Sequence, residues 1–235
     1  MKKPFKRGML HGLPIALGYF SVSFGFGIVA MQSGLKVIEA VIISLTNLTS
    51  AGQAMGVAII AAGGTLLEMA ATQLVINLRY ALMAISLSQK LDDSFTTPHR
   101  LLAAYGITDE IFAVAAAQDC KLVPSYMYGM ISVAAVGWVG GTLAGSVANM
   151  LLPVSLTAAM GIMLYGMFIA IIIPPAKANR KMLCVILIAA ALSCIFKYLL
   201  PAVSVGFAII ISAIVASVIG ALLFPIDEEK EETAK

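Results

Sequence analysis

Apolar residues run in long blocks along this chain, and most polar residues lie between the blocks. A helix needs about 20 mostly apolar residues to cross the hydrocarbon core of a bilayer. Blocks of this length predict about eight membrane-spanning helices, at 11–31, 37–62, 65–88, 101–117, 124–148, 156–173, 182–200 and 204–224. The alternation typical of an outer-membrane barrel is missing. The pattern therefore predicts an all-α polytopic membrane protein, with one integral membrane domain over 1–225 and an acidic tail over 226–235.

Composition supports this class and excludes others. Hydrophobic residues make up 60% of the 235 positions and charged residues only 11%, against about 25% charged in soluble domains. The three cysteines make no disulfide framework. No P-loop or metal-ligand spacing occurs, so we expect no cofactor, no metal and no nucleic-acid partner. The basic start is followed by an apolar run too long for a signal peptide, which predicts a retained first helix.

Basic residues in short loops predict the orientation, since such loops stay in the cytoplasm. One group precedes the first span and a second separates the sixth from the seventh; the residues are Lys2, Lys3, Lys6, Arg7, Lys177, Arg180 and Lys181. An even number of crossings places both groups, both termini and the acidic tail in the cytoplasm. In this arrangement the third span runs outward and the fourth inward.

The second span is interrupted by polar residues. They are Ser44, Thr46, Asn47, Thr49, Ser50 and Gln53, together with Gly52. Lipid offers no hydrogen bonds, so such a segment has to be buried in protein or line a wet cavity. We predict a helix that is broken between Asn47 and Gln53, as in secondary transporters. The alternative is a continuous helix whose hydroxyls bond back to their own turn.

Ionisable residues inside the third and fourth spans are the candidate functional groups. Arg79, flanked by Asn77 and Tyr80, lies in one, and Thr108-Asp109-Glu110 lies in the other. Charges at this depth are costly and usually face the bundle interior. Counted from the span ends at 1.5 Å per residue, Arg79 and Asp109 lie at similar depth, so we predict that they interact across one cavity. The alternatives are that Arg79 extends to a headgroup and that the acidic pair lies in the headgroup layer.

A weak internal similarity suggests a repeat. The residues Tyr80-Ala-Leu-Met-Ala-Ile-Ser and Tyr165-Gly-Met-Phe-Ile-Ala-Ile each lie in the third span of a group of three. With the predicted topology, the two groups have opposite orientation. This gives the hypothesis of a 3+3 inverted repeat, followed by two C-terminal helices.

These residues favour a secondary transporter for a small amphiphilic substrate such as an amino acid. Arg79 suits a carboxylate, and Asp109 or Glu110 suits an ammonium group or a coupling proton. Asn77, Tyr80, Asn47, Gln53 and Thr108 complete the predicted substrate site. A channel and an ATP-driven permease subunit with a separate ATPase remain alternatives. An enzyme is not expected, because no nucleophile-and-base arrangement is visible.

Four motifs resemble the AzlC family of branched-chain amino acid transport permeases. They are Gly12-Leu-Pro14, Ala51-Gly52-Gln53, Asn77-Leu78-Arg79-Tyr80 and Thr108-Asp109-Glu110. The resemblance implies an exporter of branched-chain amino acids in a bacterial inner membrane, working with a small membrane subunit of the AzlD type. Tyr80 stands where many members have histidine. The segment 161–166 lacks the acidic residue that many members carry in the sixth span.

Overall fold

The computed structural model describes residues 4–153, 155–156, 159, 162, 166, 169, 172–174 and 176–224. Its helices are α1 (Pro4–Gln32), α2 (Val37–Thr46), α3 (Ser50–Ala61), α4 (Leu66–Ser88), α5 (Thr97–Tyr105), α6 (Asp109–Ala116), α7 (Pro124–Leu151), α8 (Arg180–Leu199) and α9 (Val205–Leu223). The predicted all-α fold is confirmed over these residues. The predicted sixth span lies largely outside the described residues, and the acidic tail lies wholly outside them.

Five of these helices, α1, α4, α7, α8 and α9, are long and apolar enough to cross a membrane. Two of them, α1 and α7, form the centre of the bundle and run parallel. Gly137 lies against Ala16, and further along both helices Gly145 lies against Phe24. A Cβ atom at either glycine would overlap a backbone carbonyl of α1. Small residues let two helices approach backbone to backbone, as is common in membranes.

The predicted break in the second span is confirmed, but its predicted crossing of the membrane is wrong. Residues Asn47 and Thr49 are extended and separate α2 from α3. The chain then reverses direction. Ala40 of α2 and Val57 of α3 share a buried cluster with Phe26 in the second half of α1. Segment 37–62 is therefore a re-entrant hairpin, whose arm α2, of 10 residues, is about 15 Å long and reaches halfway through a core about 30 Å thick.

Because a re-entrant hairpin does not change sides, α4 begins where α1 ends and runs antiparallel to α1. Near its start, Met69 lies beside Gly56 of α3. At its end, Leu87 packs in the cluster that contains Met127 of the first turn of α7. The predicted direction of the third span, parallel to the first, is therefore wrong. We call the end of the bundle with Arg7 and Leu122 the base, and the end with Gln32 and Ala62 the rim.

The predicted fourth span is a second re-entrant hairpin, which enters from the base. Its arm α5 ends at Tyr105, and α6 begins after Thr108, whose hydroxyl caps the backbone N–H of Ile111. The arm α6 returns to the base, where the Lys90 ammonium donates to the Ala116 carbonyl. The prediction of one continuous crossing over 101–117 is wrong. A Gly106 followed by a capping threonine and two acids is a helix-start signal, so the break could have been found in the sequence.

A helix followed by a re-entrant hairpin thus occurs twice, as α1 with α2–α3 and as α4 with α5–α6, in opposite directions. Because segments 37–62 and 101–117 turn back, the predicted count of eight crossings is not met. The predicted 3+3 repeat stays a prediction, because the sixth segment is largely undescribed. The pair α8–α9 is antiparallel, with Val185 beside Gly220. This pair contacts α4 through Glu68. The Glu68 side chain is 4% exposed and accepts the backbone N–H of Gly206, at the start of α9, at 2.8 Å. Glu68 therefore caps the start of α9.

Candidate functional site

The tips of the two hairpins meet in the middle of the bundle. The hydroxyl of Tyr105 donates to the carbonyl oxygen of Leu45 at 2.5 Å. The capping residues of α3 and α6, Thr49 and Thr108, both lie at these tips. Helix N-termini carry partial positive charge and free N–H groups. Two of them at mid-depth give an environment suited to anionic groups, as in transporters with discontinuous helices.

A cavity of about 490 Å³ lies between the tips, α1 and α7. Its polar wall is formed by Tyr19, Ser50, Tyr80, Thr108, Asp109 and Glu110. Its apolar wall includes Ile15, Val22, Leu48 and Trp138. The cavity thus offers charged and hydroxyl groups on one side and aliphatic and aromatic surface on the other. This division suits a small amphiphilic molecule.

The predicted contact between Arg79 and Asp109 is present. Nη1 of Arg79 lies 2.6 Å from Oδ2 of Asp109, and the two side chains are 38% and 39% exposed. Nη2 of the same guanidinium donates to the Tyr80 hydroxyl at 2.8 Å, and the guanidinium lies over the Tyr80 ring. About a third of each side chain is accessible, which leaves room for a polar ligand to reach the pair. Their role in binding stays a prediction.

Glu110 has different partners from its neighbour, because adjacent residues on a helix point about 100° apart. Its Oε2 accepts the hydroxyl of Tyr19 at 2.6 Å. The Tyr19 oxygen is also 2.5 Å from Oγ1 of Thr108. A hydroxyl has one proton to give, so Thr108 donates to Tyr19 when Tyr19 donates to Glu110. Sequence reasoning missed Tyr19, since a tyrosine in an apolar helix gives no signal of its own.

Gln53 lies behind the cavity and does not line it. It is 1% exposed, and both ends of its amide are used. Its Oε1 accepts from Nε1 of Trp138 at 2.8 Å, and its Nε2 donates to Oγ of Ser44 at 2.8 Å. The Trp138 ring in turn meets the Tyr19 ring edge to face at 5.2 Å. Gln53 therefore positions the wall of the cavity, which differs from the predicted direct contact.

Asn47 and Asn77 also support the first hairpin from behind. Oδ1 of Asn47 accepts both the backbone N–H and the hydroxyl of Thr49, at 2.8 and 2.6 Å. Nδ2 of Asn77 donates to Gln73, and Gln73 donates to the carbonyl of Gly52. Oδ1 of Asn77 is buried without a partner among the described residues.

Within the same residues, no group of three or more His, Cys, Asp and Glu side chains could hold a metal ion.

Comparison with known proteins identifies the family. The family model described as AzlC protein matches residues 14–152. The chain belongs to the AzlC family. The matched segment contains both hairpins and every candidate residue named above.

Relatives of this AzlC family member are named as membrane proteins. Inner membrane protein YgaZ of Escherichia coli K12 is 31% identical over 190 residues, which cover 77% of this chain and 76% of YgaZ. An uncharacterized membrane protein of Archaeoglobus fulgidus is 30% identical over 180 residues, covering 75% and 78%. One of Helicobacter pylori 26695 is 28% identical over 151 residues, covering 63% and 65%. No solved structure matches the chain.

Proposed function

We propose that this membrane protein is the transport subunit of a secondary transporter that exports branched-chain or related amino acids across the inner membrane. The observation that supports this most is the meeting of two re-entrant hairpins from opposite ends of the bundle, with Asp109 at the tip of the second hairpin paired to Arg79. Irregular backbone and charges at mid-depth are the features of substrate sites in secondary transporters.

The chemistry of the cavity supports an aliphatic amino acid as the substrate. The carboxylate of a zwitterion pairs with Arg79, which contacts Asp109 and Tyr80 of the cavity wall and whose guanidinium geometry suits a carboxylate. Its ammonium group then pairs with Asp109, so the substrate replaces one ion pair by two. Its side chain lies against Ile15, Val22 and Leu48. The substrate thus separates Arg79 from Asp109 and gives each of the two charges a new partner.

We also propose that both termini are cytoplasmic and that a small membrane subunit of the AzlD type completes the transporter. The orientation is supported by basic residues at the base, which include Lys6, Arg7, Lys90 and Lys121. The rim has fewer, with Lys36 in the turn after α1. The partner subunit is an expectation from the family resemblance.

Transport by the purified protein in proteoliposomes, with and without the small subunit, tests the proposal. A transporter gives saturable leucine or valine uptake and counterflow, in which internal unlabelled amino acid drives labelled amino acid inward. Arg79→Gln should abolish both, while Arg180→Gln, an exposed arginine at the start of α8, should not. Flux that does not saturate and shows no counterflow would indicate the channel alternative. Dependence on ATP and a separate ATPase would indicate an ATP-driven permease subunit.

A further inference from the structure

Two adjacent carboxylates face the cavity, and the structure gives them unequal surroundings. Asp109 forms an ion pair with Arg79. Glu110 is hydrogen-bonded to Tyr19 and forms no ion pair within the part of the chain that the structure describes. The segment 154–175, which is described only in part, contains no Lys, Arg or His in the sequence. A carboxylate with only hydroxyl partners can take up a proton without breaking an ion pair.

We propose that Glu110 is the proton-binding residue of this protein, with Tyr19 as its positioning residue, and that Asp109 stays ionised beside Arg79. This inference rests on the proposed transport function for its role in coupling, but the binding of the proton itself does not. The proton adds to Oε1 or Oε2 of Glu110, and the neutral acid keeps a hydrogen bond with the Tyr19 hydroxyl.

The groups around Glu110 support this assignment. From α1 only the Tyr19 hydroxyl reaches it, and from its own hairpin it is next to Asp109 and Thr108. From α4 come Tyr80 and Arg79, whose guanidinium is occupied by Asp109 and Tyr80. From α7 the neutral ring of Trp138 lines the same cavity.

The position of Glu110 gives proton binding a consequence for the contact between two elements. Tyr19 lies on the central pair α1–α7, whereas Glu110 lies on the hairpin that enters from the base. The Tyr19–Glu110 hydrogen bond therefore joins the central helix pair to the second re-entrant hairpin. Gain or loss of one proton changes the strength of this bond, since a charged acceptor binds a hydroxyl more strongly than a neutral one.

Fluorescence of Trp138 tests proton binding without any substrate. It is the single tryptophan of the chain, it is 2% exposed, and its ring meets that of Tyr19. We expect the purified wild-type protein to change its emission reversibly as the pH is lowered. Glu110→Gln should lose this change, whereas the exposed control Glu39→Gln should keep it. A change that persists unaltered in Glu110→Gln would overturn the proposal, and so would its loss in Glu39→Gln.

A transport assay separates this inference from the proposed function. Glu110→Gln should lower proton-driven net flux at least about tenfold more than it lowers amino-acid counterflow, and this tenfold ratio corresponds to about 1.4 kcal/mol. If the wild type transports no amino acid yet Trp138 responds through Glu110, the proposed function fails and the proton site stands. If Glu110→Gln does not fold, Glu110→Asp replaces it. The midpoint of its fluorescence change should then be displaced, and an unchanged midpoint would contradict the proposal.

Discussion

Nη1 of Arg79 lies 2.6 Å from Oδ2 of Asp109, and this ion pair joins the crossing helix α4 to the first turn of the second hairpin. Each charge satisfies the other at a depth where neither could stay alone at low cost. The same pair is the place where a zwitterionic substrate can enter.

Removing one member of the pair should therefore harm the protein more than removing both. Arg79→Met or Asp109→Asn leaves an unpaired charge, so we expect lower yield and at least about tenfold lower transport, because hydrogen bonds to charged groups contribute about 1.5–3 kcal/mol. The double variant should recover yield but not transport. Yield of monodisperse protein after size-exclusion chromatography is the measurement. A double variant that assembles no better than the worse single variant would show that the two charges are independent.

The two re-entrant hairpins predict which loops share a side of the membrane. Cys120 and a cysteine introduced at Ser94 are both at the base, while one introduced at Ala62 is at the rim. With Cys184 and Cys194 replaced, a membrane-impermeant thiol reagent should label Cys120 and Ser94→Cys from one side and Ala62→Cys from the other. If segments 37–62 and 101–117 each crossed fully, Ser94→Cys and Cys120 would be labelled from opposite sides.

The close approach of α1 and α7 predicts which glycines tolerate a methyl group. At Gly137 and Gly145 a Cβ would overlap backbone carbonyls of α1, and backbone cannot move aside as a side chain can. Alanine there should lower the stability by about 1–3 kcal/mol. Gly140→Ala is the matched control, because its Cβ would be 3.9 Å from the Phe20 ring. Thermal unfolding in detergent compares them, and equal midpoints for Gly137→Ala and Gly140→Ala would contradict the packing described.

The contact of Glu68 with Gly206 predicts how the C-terminal helices are attached to α4. Its carboxylate accepts the Gly206 N–H at the start of α9, so Glu68→Ala should free that helix end and cost about 1 kcal/mol or more. Glu39→Ala is the control, since Glu39 is exposed and accepts the backbone N–H of Lys36, the residue just before its own helix, and so joins no two helices. Proteolysis of the turn between α8 and α9 measures the effect. Equal cleavage in both variants would mean that Glu68 does not dock α9.

The sequence by itself determined the class of the protein, most helix positions and the pair Arg79–Asp109. Apolar blocks and helix caps depend on residues that are neighbours in the sequence, and the cost of a buried charge depends on the surrounding lipid. None of these requires a tertiary contact, so all three can be predicted from the sequence. The polar interruption at Asn47–Thr49 indicates the break in the second segment for the same reason, since lipid cannot satisfy its hydrogen bonds.

The tertiary structure decided whether the broken segments cross or turn back. An apolar stretch of about 25 residues satisfies the bilayer either as one crossing or as two half-length arms, and the choice depends on what the tip meets. Here the Tyr105 hydroxyl binds the Leu45 carbonyl, and Ser44, Gln53 and Trp138 bind one another. These partners lie far apart in the chain, so only the folded packing could show that both hairpins reverse and that Tyr19 reaches Glu110.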